Sequence, residues 1–140
     1  MNGLGLTTCA LLGYTPTPLT PYGSPRSDFN KTALGAEHSM NWKHYSSYEE
    51  LKKAYPTAHT IALEIDSRSK DVKTLPESIN TLPVTTPIII IFGNEVEGVL
   101  SSTKDQSDEL FAIPMNGTKE SFNVSVSAGI ALYLASQART

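Results

Sequence analysis

The chain has 140 residues, a mass of 15.2 kDa and a formal net charge of −3. Its length suits one compact domain and excludes two full domains, because a domain usually holds roughly 100–200 residues. With 39% hydrophobic and 18% charged residues the chain can bury a core, which excludes disorder along its whole length. The acidic balance, with a pI of about 5.5, excludes binding to nucleic acid by overall charge alone.

Cysteine, histidine and apolar patterning narrow the class of protein further. The single cysteine, Cys9, cannot form an internal disulfide, and the three histidines lack the spacing of metal ligands, so we expect no metal site. The longest apolar run, Ile88 to Phe92, is far shorter than the ~20 residues that a membrane-spanning helix needs. No basic and apolar leader precedes a cleavage site. We therefore expect a cytoplasmic protein.

The amino-terminal part of the chain combines short strands, short helices and one long loop. Leu6 to Leu12 is apolar and β-branched, which predicts a buried strand near the terminus. A proline-rich loop follows from Tyr14 to Asn30, and Lys31 to Glu37 favours a short helix. Trp42 to Tyr45 predicts a short strand. The sequence Ser47-Tyr48-Glu49-Glu50 is a capping box, which predicts a helix that ends near Ala54.

The middle of the chain contains two strong strand signals. His59 to Ile65 predicts a second buried strand, with the acidic pair Glu64 and Asp66 at its carboxyl end. Between Asp66 and Pro87 we expect turns with at most one short helix, near Pro76 to Asn80. Five apolar β-formers, Ile88 to Phe92, then predict a central parallel strand, because such a strand is apolar on both faces.

The carboxyl-terminal part continues the alternation of strands and helices. Glu95 to Ser101 predicts a helical turn, and Glu109 to Ile113 predicts a strand. Ser121 to Gln137 predicts a terminal helix with Ser121 as its cap. The alternation indicates an α/β fold with a mostly parallel sheet flanked by helices. Ligand sites in such folds lie beyond the carboxyl ends of the strands.

Three well-known functional motifs are absent from the sequence, because the required residues do not occur at the required spacing. Gly3-Leu4-Gly5 lacks the third glycine of a dinucleotide fingerprint and precedes a predicted strand instead of following one. Gly93 and Gly98 have the spacing of a phosphate loop, but Val99-Leu100 stands where that loop requires Lys and Ser or Thr. The chain also lacks the Gly-x-Ser-x-Gly elbow of serine hydrolases. These observations argue against nucleotide triphosphatases and serine hydrolases.

Two segments at the ends of the last two predicted strands remain as candidates. The first is IIIIFGNEVEGVL, Ile88 to Leu100, in which glycine permits a sharp turn close to a ligand. The second is FAIPMNGTKESFNVSVSAGIALYLA, Phe111 to Ala135, in which a strand runs through a polar turn into a helix. Taken singly, the first segment is also compatible with an ordinary strand-to-helix turn, and the helix of the second with plain core packing.

In this order the two segments resemble motifs two and three of the SpoU-TrmH branch of the SPOUT RNA methyltransferases. That family has a Gly-x-Glu-x-x-Gly turn after an apolar strand, then Ile-Pro-Met and Glu-Ser-Leu-Asn-Val-Ser. LLGYTPTP, KTALGAE and IALE, which begin at Leu11, Lys31 and Ile61, extend the resemblance over nearly the whole chain. It implies a SPOUT-type fold with a carboxyl-terminal trefoil knot, S-adenosylmethionine as the cofactor, a homodimer, and methylation of a ribose 2′-hydroxyl in tRNA or rRNA.

The resemblance assigns roles to individual residues. Three polar residues match the positions that line the reacting centre, namely Glu95, Ser121 and Asn123. Their role would be to align the hydroxyl with the methyl group and to help remove a proton, because the sulfonium is already a good leaving group. The cofactor-binding positions are Leu63, Gly93, Asn94, Gly98, Ile113, Met115 and Phe122. Phe122 replaces the leucine usual in the family. Ser121 and Asn123 could instead only cap the terminal helix.

The chain departs from the family pattern at its amino terminus. Family members open with a motif that contains an asparagine and, a few residues later, an arginine thought to activate the ribose hydroxyl. Here the chain starts at Met1, and none of its arginines, Arg26, Arg68 and Arg139, has the matching context. We therefore expect a single domain over residues 1–140 that is incomplete at its amino terminus and methylates RNA slowly or not at all. Two alternatives remain open: a non-catalytic SPOUT-like dimerising or RNA-binding module, and an unrelated nucleotide-binding α/β domain.

Overall fold

The computed structural model describes residues 4, 6, 8–27 and 40–138. The chain forms two compact units, Met1–Pro56 and Thr57–Thr140. Within the described residues all pairs of named strands are parallel, which confirms the predicted α/β fold with a mostly parallel sheet. No helix in this part of the chain is long and apolar enough to cross a membrane. The single domain and the trefoil knot stay predictions.

The first unit contains a two-stranded sheet and one helix. Strand β1 (Thr8–Leu12) pairs in parallel with β2 (Asn41–Tyr45), and helix α1 spans Tyr48–Ala54. The prediction that the first strand is buried was wrong, since its side chains are exposed or half-buried. The reason is that β1 has β2 as its one described neighbour. Residues 14–26 form the predicted loop, whereas the helix predicted at 31–37 lies outside the described residues.

The predicted capping box of α1 is present in a shifted form. The Ser47 hydroxyl accepts a hydrogen bond from the Glu50 amide at 3.3 Å, as a capping box requires. The Glu50 carboxylate, however, accepts from the amide and the hydroxyl of Ser46, at 2.6 and 2.7 Å, and not from Ser47. These hydrogen bonds lower the pKa of Glu50. The return contact of the box is therefore made one residue earlier in the chain.

The second unit is built on a four-stranded parallel sheet with strand order β4-β6-β3-β5. The strands are β3 (His59–Leu63), β4 (Lys70–Asp71), β5 (Ile88–Phe92) and β6 (Glu109–Ala112). The helices are α2 (Leu75–Asn80), α3 (Ser101–Gln106) and α4 (Val124–Ser136), and a 3₁₀ turn spans Val72–Thr74. The short helix predicted near 76–80 and the strands predicted at 59–65, 88–92 and 109–113 are confirmed, the first of these strands ending two residues early.

Three predictions about this unit were wrong in position. Strand β5 lies at an edge of the sheet and not at its centre, because β3 takes the inner place and pairs with both β5 and β6. The predicted helical turn at 95–101 is a turn closed by a bridge between Asn94 and Gly98, and helix α3 begins only at Ser101. The terminal helix α4 begins at Val124, three residues after the predicted start.

An apolar core joins the strands of this unit to its helices. Phe111, Ile61 and Leu75 are fully buried, and α4 contributes Ala131 to the same cluster. Burial of side chains of this size typically stabilises a fold by about 1.5–3 kcal/mol each. Because β3, β5 and β6 are parallel, their carboxyl ends meet at one edge of the sheet, beside the start of α4.

Candidate functional site

A pocket of about 440 Å³ opens at the carboxyl ends of β3, β5 and β6. This volume lies within the range of roughly 300–1,000 Å³ that is usual for small-molecule sites. The structure brings all ten predicted site residues into its lining: Leu63, Gly93, Asn94, Glu95, Gly98, Ile113, Met115, Ser121, Phe122 and Asn123. The two segments that resemble the family motifs therefore lie next to each other in the structure.

A tight turn at residues 94–98 forms one wall of the pocket. The Asn94 side-chain oxygen accepts hydrogen bonds from the amides of Val96 and Glu97, at 2.8 and 2.7 Å. The Gly98 amide donates to the Asn94 carbonyl at 3.1 Å and closes the turn. Asn94 thus shapes the turn through its side chain, as asparagine commonly does at such positions.

Both glycines of this segment are required by the way the turn packs. A Cβ atom at Gly93 would overlap the backbone of Gly98 and Val99, because the turn folds back directly onto Gly93. Gly98 has a φ of +65°, in the left-handed region that favours glycine. The expected contact of the Gly93 backbone with a ligand stays a prediction, and the structure adds this separate steric reason for glycine.

Glu64, for which the sequence motifs predicted no role at the site, also lines the pocket. One oxygen of its carboxylate, Oε2, accepts a hydrogen bond from the Val99 amide at 2.7 Å. The other, Oε1, accepts from the Ile65 amide at 3.0 Å. The available signal was the position of Glu64 at the end of a buried strand. Its acidic neighbour Asp66 does not line the pocket.

The helical side of the pocket differs from the prediction in its cap. Asn123, and not Ser121, caps α4: its side-chain oxygen accepts from the amide and hydroxyl of Ser125, at 2.9 and 2.7 Å. Ser121 lies three residues before the helix, where its hydroxyl has no hydrogen-bond partner among the described residues. Phe122, which also lines the pocket, is 43% exposed. Ser121 is therefore available to a ligand.

The pocket lining is acidic. Four carboxylates line it, those of Glu64, Glu95, Glu97 and Glu120, and its lining includes no Lys, Arg or His among the described residues. Such a lining favours a positively charged ligand.

The arginine of the second unit that the structure describes is engaged elsewhere. Arg68 donates to Asp66 at 2.9 Å and to Asp105 at 2.8 Å, and these carboxylates raise the pKa of its guanidinium. Arg68 holds the pKa of Asp66 well below its ordinary value, together with Lys104, which pairs with Asp66 at 3.0 Å. Arg26 lies in the first unit. Within the described part of the second unit, no arginine therefore lines the pocket.

The fold of this chain is similar to those of solved RNA-modifying enzymes. An AdoMet-bound rRNA methyltransferase from Sinorhizobium meliloti superposes over 97% of this chain and 48% of its own, with a TM-score of 0.78 and 19% identity. The A. aeolicus TrmH/SpoU tRNA modifying enzyme superposes over 99% of this chain and 64% of its own, with a TM-score of 0.75 and 19% identity. At these identities the likeness shows the fold.

Two curated relatives show the similarity at the level of sequence. The 23S rRNA (guanosine-2′-O-)-methyltransferase RlmB of Photorhabdus laumondii is 39% identical over 113 residues, which are 79% of this chain and 43% of that protein. The tRNA (guanosine(18)-2′-O)-methyltransferase of Aquifex aeolicus is 42% identical over 65 residues, 45% of this chain and 31% of that protein. The matched stretches span less than half the length of either relative.

The family model covers both motifs and the strands that carry them. The model of the SpoU rRNA Methylase family matches residues 8–133, which include β1 to β6 and the whole lining of the pocket. This agrees with the resemblance seen in the two motifs and with the parallel sheet that positions them. The chain belongs to the SpoU rRNA methylase family.

Proposed function

We propose that this chain binds S-adenosylmethionine in the pocket and transfers its methyl group to a ribose 2′-hydroxyl of tRNA or rRNA. The observation that carries the proposal is the convergence of all ten motif residues on one pocket at the carboxyl ends of the strands. The names of the relatives support the reaction, since they describe 2′-O-methyltransferases of 23S rRNA and of tRNA.

The lining of the pocket fits this cofactor. Leu63, Ile113 and Met115 supply apolar surface for the adenosyl group, and the backbone of the 94–98 turn supplies polar contacts. The four carboxylates of the lining favour a cation, and S-adenosylmethionine carries a positive sulfonium. When bound, the cofactor would supply a methyl group on a good leaving group.

The chain's own residues would then place the acceptor. The Ser121 hydroxyl and the Glu95 carboxylate have no hydrogen-bond partner among the described residues, so both can hydrogen-bond a ribose hydroxyl. Glu95 is exposed at the pocket wall and can accept a hydrogen bond from the ribose hydroxyl, which would align that hydroxyl with the methyl group. The Asn123 oxygen is used in capping α4, which leaves its amide N–H groups to position the substrate.

Single-turnover transfer from tritiated S-adenosylmethionine to bulk tRNA and rRNA tests this function. We expect label that is recovered, after complete digestion, in 2′-O-methyl nucleosides. Ser121→Ala should reduce the transfer, whereas Ser102→Ala, an exposed serine on α3, should not. Label recovered in base-methylated nucleosides, or no label with excess enzyme, would contradict the proposal.

Arg68, the described arginine of the second unit, lies outside the pocket lining, which favours slow transfer by this chain alone. General-base assistance typically contributes about 10²–10⁴-fold to such proton removals. Fusion of a family-type segment with the activating asparagine and arginine should therefore raise transfer, and changing that arginine to alanine should abolish the gain. If the fused segment changes nothing while RNA still binds, the second candidate, a non-catalytic RNA-binding module, is favoured.

The partners in this proposal are RNA and a second copy of the chain. Apolar side chains on α4, Val126 and Tyr133, are 47% and 55% exposed and offer a surface for a homodimer. The reaction would take place in the cytoplasm, as the sequence predicts. The proposal gives no role to a metal ion.

A further inference from the structure

We propose that Glu64 is a positioning residue, which holds the turn at residues 94–99 in the form that receives S-adenosylmethionine. This inference rests on the proposed function of the pocket. Glu64 would then affect the affinity for the ligand, although it belongs to neither of the two sequence motifs and does not cap α4.

The register of the sheet places Glu64 beside the turn. Strands β3 and β5 pair with Leu63 opposite Phe92, so Glu64 and Gly93 each follow the last residue of neighbouring strands. From this position the Glu64 carboxylate reaches across to the Val99 amide, at 2.7 Å. This hydrogen bond therefore joins the carboxyl end of β3 to the end of the turn that follows β5.

The carboxylate is itself held in place. Its second oxygen accepts from the Ile65 amide at 3.0 Å, and the Glu64 main chain is anchored by its amide, which donates to the Phe111 carbonyl at 2.9 Å. The Ser69 hydroxyl donates to the Glu64 carbonyl at 2.7 Å. Both oxygens and both main-chain groups of Glu64 thus have partners, and the side chain has little freedom to move away from the turn.

The turn packs tightly against the Glu64 carboxylate. A Cβ at Gly98 would run into the Glu64 carboxylate, so glycine at this position lets the backbone approach it. The other side of the turn rests on Gly93, where a Cβ would overlap Gly98 and Val99. Since Asn94 to Gly98 line the pocket, loss of the Glu64 contact would let one wall of the pocket move.

Two substitutions separate the positioning role from a simple effect of charge. Glu64→Gln keeps the shape of the side chain, but its amide N–H group would face the amide of either Val99 or Ile65, so one of the two hydrogen bonds is lost. Glu64→Asp keeps the charge but is one methylene too short to reach the Val99 amide. The matched control is Glu77→Gln, which makes the same charge change at an exposed glutamate of α2.

The experiment measures the affinity for S-adenosylhomocysteine by calorimetry, at a temperature where circular dichroism shows every variant to be folded. We expect both Glu64 variants to bind about tenfold more weakly or worse, a change of about 1.4 kcal/mol. We also expect faster hydrogen exchange of the Val99 amide in both. Glu77→Gln should change neither quantity.

Each contrary result has a distinct meaning. If the Glu64 variants melt at lower temperature but bind as tightly as the natural chain, Glu64 is only structural and the inference fails. If Gln weakens binding while Asp does not, charge and not the position of the turn explains the effect, and the inference also fails. If the unchanged protein does not bind the ligand, the proposed function fails as well.

Discussion

Asn123 has two roles in this account: it caps α4, and it lines the pocket at a position that matches the family motif. Asn123→Ala should lower the free energy of unfolding by about 1 kcal/mol through loss of the cap. Asn123→Asp should keep the cap and the stability, yet lose the N–H groups that a substrate could use. Urea denaturation and methyl transfer, measured on both variants, separate the roles. Equal transfer by Asp and Asn would leave capping as the whole role of Asn123.

Gly93 is limited by packing at the turn. Gly93→Ala should lower the free energy of unfolding by about 1–3 kcal/mol, because the new Cβ overlaps the backbone of Gly98 and Val99. Gly117→Ala is the matched control, since a Cβ there meets nothing within 4 Å. Denaturant titration of the two variants checks the difference. If both variants are equally stable, the turn does not pack on Gly93 as described.

At the residue scale, motif matching predicted the lining of the pocket but not all of its contacts. The motif positions are sufficient to predict that Gly93, Ile113 and Ser121 lie close together. Gly93 and Ile113 directly follow strands, and Ser121 lies shortly before a helix. The motif positions could not show that Glu64 bonds to Val99, which lies 35 residues away in the chain. They also misplaced the cap of α4, since a serine and an asparagine two residues apart are both suitable caps.

The amino ends of β3 and β4 are joined by a half-buried carboxylate on β6. Glu109 accepts hydrogen bonds from Lys70 at 2.5 Å, Ser78 at 2.6 Å and His59 at 3.0 Å. Burial alone would raise its pKa, but these donors outweigh burial and hold the pKa below its ordinary value of 4.5. The contacts link β3, β4 and α2 to β6.

This carboxylate should make stability fall in acid. A pKa that is lowered in the folded state contributes stability above the unfolded value, and that contribution is lost as the pH falls from about 4.5 through the folded pKa. Glu109→Gln should therefore flatten the fall in unfolding free energy over this interval, whereas Glu77→Gln should not. Urea titrations at a series of pH values check this. Parallel curves for the natural chain and Glu109→Gln would refute the role of Glu109.

At the element scale, hydrophobic pattern predicted the type of most elements and missed their place in the sheet. Ile88 to Phe92 is apolar on both faces, which suits a central strand, yet β5 lies at an edge of the four-stranded sheet. Strand order depends on pairing between distant segments, which local pattern does not encode. Strand β4 was missed because its two residues are too few to show a period.

At the scale of the whole molecule we expect a homodimer that uses the exposed apolar side of α4. Tyr133→Glu should shift the chain toward monomer, because it places a charge on a side chain that is 55% exposed and lies on the proposed contact face. Tyr22→Glu, in the loop of the first unit, is the control and should not change association. Sedimentation velocity measures both. A natural chain that sediments only as a monomer would contradict the expected dimer.

The central claim is that the pocket at the strand ends binds S-adenosylmethionine, and calorimetry with S-adenosylhomocysteine tests it most directly. We predict one site per chain, displaced by S-adenosylmethionine, with no heat from ATP, since the chain lacks a phosphate-binding loop. A folded sample that gives no heat with S-adenosylhomocysteine, or that binds ATP instead, would contradict the account.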